Sequence, residues 1–164
     1  MIIRETEWDD VAGVSLRLAQ RAELAERYGT HHSEPGVPPS AADITVFFVA
    51  FDDDDTPVGC GGLRRLGETE AEIKRMFVLP ESRGSGVSTA ILERLEEYGR
   101  EHGLSRLVLE TGNRQPDAIR FYQRQGYTPV PKFGHYVDSA ISLCFAKPLV
   151  ASDPASDVAC EGCE

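Results

Sequence analysis

Three apolar runs follow one another in the middle of the chain, with only short polar turns between them, and they leave few folds open. Ile44–Phe51 and Pro57–Leu66 are rich in β-branched and aromatic residues and are separated by Asp52-Asp53-Asp54-Asp55-Thr56. That pattern is a hairpin with a charged turn. A second turn at Gly67-Glu68-Thr69 leads into Ala71–Leu79, a third strand of the same meander, which Pro80 ends. Beyond it the period lengthens. A helix is expected from about Gly86 to His102, with Ile91, Leu95 and Tyr98 as its buried stripe and Gly103 as its stop. Leu107-Val108-Leu109 reads as a short buried strand, and a helix opens at Gln115 or Pro116 and runs to Gln125 before Gly126. Tyr127–Val130 and Ala140–Ala146 read as the last strands, joined by the loop Pro131–Ser139.

Upstream of the meander, residues 1–4 suit a short strand, and Asp9 or Asp10 to Tyr28 reads helical. Val11, Val14, Leu18, Ala22 and Ala25 recur at spacings of three and four and form its expected apolar stripe. His31–Ser40 holds three prolines and a glycine and is a loop, either a cover for a pocket or a plain connector. The order β-α-β-β-β-α-β-α-β-β implies a single-domain α+β fold, with a mixed, mostly antiparallel sheet and helices on both faces. The domain is expected to span residues 1–149. After Leu149 the hydrophobic pattern fades, so residues 150–164 are expected to form a disordered acidic tail.

Charge and composition exclude several classes. A net charge of −10 with no basic run does not fit nucleic-acid binding, which requires cations against phosphates. The longest apolar stretch is far short of the ~20 residues that span a bilayer, and the N-terminus lacks a signal-peptide pattern. A cytoplasmic location is therefore expected. Acidity fits an amine substrate, although solubility alone also accounts for it. Cys60 and Cys144 sit in apolar runs as small hydrophobes. Cys160 and Cys163 lack the second pair that a metal ribbon needs, and His31-His32 lacks acidic co-ligands, so no metal is expected.

Chemistry concentrates where the third strand runs into Arg83-Gly84-Ser85-Gly86-Val87-Ser88 and then a helix. Glycines let the backbone approach a ligand, and the first turn of a helix leaves amide N–H groups free at its positive end. Arg83 adds a full charge. The Gly-Lys-Ser/Thr ending of a nucleotide-triphosphatase loop is missing, and so are the three spaced glycines of a dinucleotide fold. On spacing alone the segment is either a phosphate site or a tight turn that binds nothing.

The wider constellation decides between them. Glu72-Ile73-Lys74-Arg75-Met76-Phe77-Val78-Leu79-Pro80, the turn after it, and Ala118-Ile119-Arg120-Phe121-Tyr122-Gln123-Arg124-Gln125-Gly126-Tyr127 resemble the GCN5-related N-acetyltransferase (GNAT) superfamily. The resemblance follows element order over residues 1–149 and is motif-specific from 71 to 127. Ser88 stands where the family usually has Gly or Ala, and Gln115 where relatives often have Asn.

The resemblance implies the acyl-CoA N-acyltransferase fold, with acetyl-CoA as donor between two splayed parallel strands. It assigns the pantetheine arm and acetyl carbonyl to the backbone of Met76, Phe77 and Val78, with Gln115 beside the arm. Arg83, Gly84, Ser85, Gly86, Val87 and Ser88 take the pyrophosphate. Tyr122 matches the phenol that protonates the leaving thiolate, and Glu72 a general base whose apolar neighbours Ile73 and Met76 would raise its pKa. Glu110 is a second candidate base. The first helix and last hairpin imply a substrate wall of Glu23, Arg27, Tyr28, His135 and Tyr136, although Glu23 and Arg27 also suit an ordinary helical ion pair. The implied activity is direct acetyl transfer to a small-molecule primary amine through a tetrahedral intermediate, by a monomer or homodimer. A protein or peptide acceptor and a non-catalytic acyl-CoA-binding module are the alternatives.

Overall fold

The computed structural model describes residues 1–30 and 34–150. Its strands are β1 (Ile2–Glu5), β2 (Val46–Phe51), β3 (Pro57–Arg65), β4 (Glu70–Val78), β5 (Arg106–Gly112), β6 (Thr128–Val130) and β7 (Ser142–Pro148). The helices are α1 (Val11–Tyr28), α2 (Val87–Glu101) and α3 (Pro116–Arg124). The strands form one sheet in the order β1-β2-β3-β4-β5-β7-β6. The β2–β3 hairpin closes because the Asp52 carboxylate accepts from the amides of Asp54 and Thr56, both at 2.9 Å.

Every pairing is antiparallel except β4 with β5. That parallel contact is brief. Glu70, Ala71 and Glu72 oppose Arg106, Leu107 and Val108, after which the strands part, while β5 stays paired to β7 as far as Gly112. A bulge on the β3 side accompanies the opening. Cys60 opposes Phe77 but Gly62 opposes Lys74, so β4 carries one residue more than β3. Arg75 takes it up with a left-handed φ of 59°, uncommon for a side-chain-bearing residue. The extra residue resets the alternation. Ile73 and Val78, five apart, both join the α2-side core, while Phe77 joins the α1 side.

On one face α2 buries Ile91, Leu92 and Leu95 against Phe48, Leu63, Ile73 and Val78. Glycines in β3 let it come close: a Cβ on Gly59 would lie 2.9 Å from Val87 Cγ1, and one on Gly61 3.0 Å from Ile91 Cγ2. The expected α2 stripe holds at Ile91 and Leu95, with Tyr98 partly buried. On the other face α1 covers Phe47, Val49, Cys60 and Phe77.

The expected stripe of α1 does not hold. Val11 and Leu18 are 82% and 60% exposed, and the helix buries Gly13, Leu16 and Arg17 instead. Contact geometry sets this phase. A Cβ on Gly13 would sit 2.9 Å from the Phe47 ring, so only glycine lets the helix approach there. Arg17 is then covered by Trp8, with its guanidinium 3.6 Å from the ring centroid and a 2.7 Å hydrogen bond to the Trp8 carbonyl. Asp10 is the N-cap and accepts from Ala12 N at 3.1 Å, and Gly29 closes the helix at φ 70°.

His31-His32 and the Cys160–Cys163 tail lie outside the described residues. Among the described residues, no helix is long and apolar enough to cross a membrane, and no group of three acidic, His or Cys side chains is arranged to hold a metal ion.

Candidate active site

A cleft of about 400 Å³ runs between α1, the end of β4, the start of α2 and α3. The sequence-expected Met76, Phe77, Val78, Arg83, Gly84, Gly86, Val87, Ser88, Gln115 and Tyr122 all line it. Gly84 and Gly86 have φ of 79° and 88°, which the turn requires. The first intrahelical bond of α2 is Ala90 N to Gly86 O, so the amides of Val87, Ser88 and Thr89 have no acceptor within the helix. With the helix dipole behind them they fit a pyrophosphate. Ser85 is not part of the lining; its hydroxyl donates to the Ser82 carbonyl and closes the turn.

Arg83 donates through Nε to the Val78 carbonyl at 3.0 Å and through Nη2 to both oxygens of Glu23 at 2.8 and 3.0 Å. The expected Glu23–Arg27 pair is replaced by this cross-cleft pair, in which the Arg83 guanidinium is also held by the Val78 carbonyl. Glu23 and Arg27 line this cleft and not the acceptor wall assigned to them from sequence.

A smaller cavity of about 110 Å³ opens where β4 and β5 part. Tyr28, Glu34, Lys74, Arg75, Glu110 and Ile141 form its walls. Gln20, Leu24, Met76, Gln115, Ala118 and Tyr122 line both spaces, so the two meet at these side chains. Tyr122 is 7% exposed and packs edge-on against Tyr127 at 5.6 Å. Burial pushes its phenol well above the ordinary value, so it keeps its proton at neutral pH.

Glu110 is the carboxylate that faces the inner cavity without a cationic partner among the described residues. Burial pushes it from 4.5 up to about 7, and a hydrogen bond with Ser142 works the other way. Glu34 is the opposite case. Desolvation pushes it up, but Lys74 and Arg75, both ion-paired to it, outweigh that and hold it below its ordinary value.

Glu72 does not occupy the apolar surroundings expected from Ile73 and Met76. It is 2% exposed and lines neither space. Its oxygens meet Arg64 at 3.1 Å, the Tyr136 hydroxyl at 2.6 Å and Lys74 at 3.7 Å. The physical reason is strand alternation: Glu72 and Lys74 point to the same side, and Arg64 lies directly opposite Glu72 in β3. Tyr136, expected in the substrate wall, is buried in this ionic cluster and also accepts from Lys74 at 3.0 Å. The cluster ties the Glu34 loop and the Gly134–Tyr136 turn to the sheet.

His135 packs its ring on Gly36 and lines an outer cleft of about 470 Å³ with Arg114 and Asp138. Tyr28 and Ile141 line both this cleft and the inner cavity. Tyr28 reaches that position over Gly112, where a Cβ would lie 1.8 Å from its hydroxyl. Sequence reasoning missed Gln20, Glu34, Lys74 and Arg75. The Lys74-Arg75 pair inside an apolar strand was a readable signal; Gln20 had none, because the phase assigned to its helix was wrong.

The model of the acetyltransferase (GNAT) family matches residues 16–127. The chain belongs to that family. IAA acetyltransferase of Azospirillum brasilense is 43% identical over 97 residues, which cover 57% of this chain and 62% of that relative. A solved structure from Klebsiella pneumoniae, assigned to the acyl-CoA N-acyltransferases, superimposes with a TM-score of 0.78 at 28% identity, covering 91% of this chain and 97% of that one. An aminoglycoside 6'-N-acetyltransferase complexed with coenzyme A shares the fold, with a TM-score of 0.68 at 17% identity over 93% of this chain and 99% of its own. The mixed sheet, its one parallel pair and the helices on its two faces are the architecture of this GNAT fold.

Proposed function

We propose that this GNAT protein transfers the acetyl group of acetyl-CoA to a primary amine of a small molecule. The observation that carries the reading is the meeting of two spaces at Tyr122, with an anion-binding turn on one side and the Glu110 carboxylate on the other. Acetyl-CoA would supply an activated acyl group as its thioester. Val87, Ser88 and Thr89 amides with Arg83 would hold its pyrophosphate, and the backbone at Met76–Val78 would face the pantetheine and acetyl carbonyl.

On the acceptor side, Glu110 is the better-supported base. A carboxyl near pKa 7 is partly ionised at neutral pH, so it can accept the proton that the attacking amine nitrogen, entering neutral, gives up as its bond to the acetyl carbon forms. As the nitrogen–carbon bond forms and the carbon–sulfur bond breaks, Tyr122 delivers its proton to the departing sulfur. The phenol's raised pKa keeps that proton available. Glu72 serves in this scheme as the buried anchor of Arg64, Lys74 and Tyr136. The inner cavity, about 110 Å³, favours a small amine over a polypeptide acceptor. A named small-molecule function in the relative from Azospirillum brasilense points the same way.

Thiol release from acetyl-CoA across a panel of small amines and peptides tests the proposal. Turnover of small amines with a rate that rises through about pH 7 is expected. CoA binding with no turnover of any amine would instead favour a non-catalytic acyl-CoA-binding module.

A further inference from the structure

We infer that Gln20 positions the attacking amine, accepting one of its N–H bonds on Oε1 at the point where the two spaces meet. The inference rests on the acetyl-transfer reading above. Past Glu72 the edge of β4 has no strand beside it, because β5 has turned away. Gln20 reaches that edge from α1, and its Nε2 donates to the Met76 carbonyl at 3.0 Å. A carbonyl can only accept, so this bond fixes which end of the amide points where. Oε1 is therefore the end turned away from β4. It is buried, and no donor of the described residues reaches it.

A buried amide oxygen without a donor is costly, and it asks for one. Gln20 lines both the donor cleft and the inner cavity, together with Tyr122 and Met76. The group that arrives there on the acceptor side is an amine. A neutral primary amine has two N–H bonds and one lone pair. With one N–H on Gln20 Oε1, rotation about that bond is all that remains to aim the lone pair at the acetyl carbon. As the carbon–nitrogen bond forms, the nitrogen becomes positive and the hydrogen bond to Oε1 strengthens, so the contact is worth more in the transition state than before it. The amide is not basic, so the proton leaves to Glu110 and Gln20 is unchanged by turnover. An N–H of the pantetheine arm is the other donor with the same chemistry, and the kinetic constants tell the two apart.

The test compares wild type with Gln20→Met, which keeps the length of the side chain but neither polar atom, and Gln20→Glu, which keeps an accepting oxygen at the same reach. Three quantities are read for each: kcat and KM for the amine, KM for acetyl-CoA, and the Kd of CoA by calorimetry. Melting temperature is followed alongside. The expected result for Gln20→Met is a fall of about tenfold in kcat/KM for the amine, the worth of one good hydrogen bond. CoA affinity should stay within about twofold, and Gln20→Glu, which keeps an accepting oxygen but not the donor to Met76, should recover part of the loss. A rise in acetyl-CoA KM and CoA Kd in its place would overturn the inference and give the contact to the pantetheine arm. Equal losses in both variants would also overturn it, since the bond to Met76 would then be the one that matters. So would unchanged kinetics, with or without a lower melting temperature. If wild type acetylates no amine, acetyl transfer itself fails; if it does and Gln20→Met matches it, only the role of Gln20 fails.

Discussion

Replacing Glu110 with Gln separates two consequences of one buried carboxyl. Burial raises its folded-state pKa from 4.5 to about 7, so the folded protein holds this proton more tightly than the unfolded chain does. The sign follows from that. Below about pH 4.5 the group is neutral in both states and costs nothing. As pH rises from 4.5 through about 7, the unfolded chain ionises freely while the folded one must charge a desolvated group, and stability is lost. Above about pH 7 the full cost is reached, roughly 3 kcal/mol at about 1.36 kcal/mol per tenfold change in proton affinity. Hydrogen bonding to Ser142 and residual solvent access reduce it, so Glu110→Gln should be about 1–3 kcal/mol more stable than wild type at pH 9. For a domain of this size that is roughly 3–9 °C in melting temperature. The gap should close by about pH 4. Turnover should move oppositely. The variant should lose about 10²–10⁴-fold in kcat and, with it, the rise in rate through about pH 7. Paired melting curves and pH–rate profiles of the two proteins make the assay. A variant whose gain in stability over wild type is no larger at pH 9 than at pH 4 would refute the desolvation argument. One that keeps the wild-type rate profile would refute Glu110 as the base.

Glu72→Gln removes one of two carboxylates from each of Arg64 and Lys74, which keep Asp43 and Glu34, and the melting curve should show a loss of about 1–3 kcal/mol. Its pH–rate profile should still rise through about pH 7, because Glu110 is untouched. Gly112→Ala must displace the Tyr28 hydroxyl, which lies 1.8 Å from the new Cβ position. Steady-state kinetics should show a raised amine KM with the acetyl-CoA KM unchanged, since Tyr28 lines only the acceptor side. Glu23→Gln removes the carboxylate that holds Arg83 across the donor cleft. Calorimetry should find CoA bound a few-fold more tightly, with a steeper dependence on salt, as the freed guanidinium turns to phosphate.

Much of the fold was legible because its signals are local. The meander shows itself in β-branched runs broken by Asp52–Asp55 and Gly67, and the helix ends in Gly29, Gly86 and Gly126. The Arg83–Ser88 turn, the proposed phosphate seat, was legible for the same reason: its parts are consecutive residues. The acceptor side was not, because its walls come from α1, the Glu34 loop, β4 and β5 and are assembled by packing. The bulge at Arg75 shifts side-chain facing by one residue, and nothing in the apolar count of β4 marks it. Glu72 read as a candidate base by its place in the family pattern, with apolar neighbours to raise its pKa, while sequence hides Arg64 and Tyr136, eight and 64 positions away. In α1 the strict count of apolar residues gave the wrong phase, since close approach at Gly13 and stacking of Arg17 on Trp8 outweigh the exposure of Val11 and Leu18.

A crystal structure with acetyl-CoA decides whether transfer occurs where the two spaces meet beside Tyr122. The pyrophosphate is expected on the amides of Val87, Ser88 and Thr89. The thioester sulfur is expected within hydrogen-bond reach of the Tyr122 hydroxyl, about 3.5 Å for sulfur, and the acetyl group turned toward Glu110. A thioester lying away from Tyr122, or a CoA held without its phosphates on the Arg83–Ser88 turn, would contradict transfer at that point.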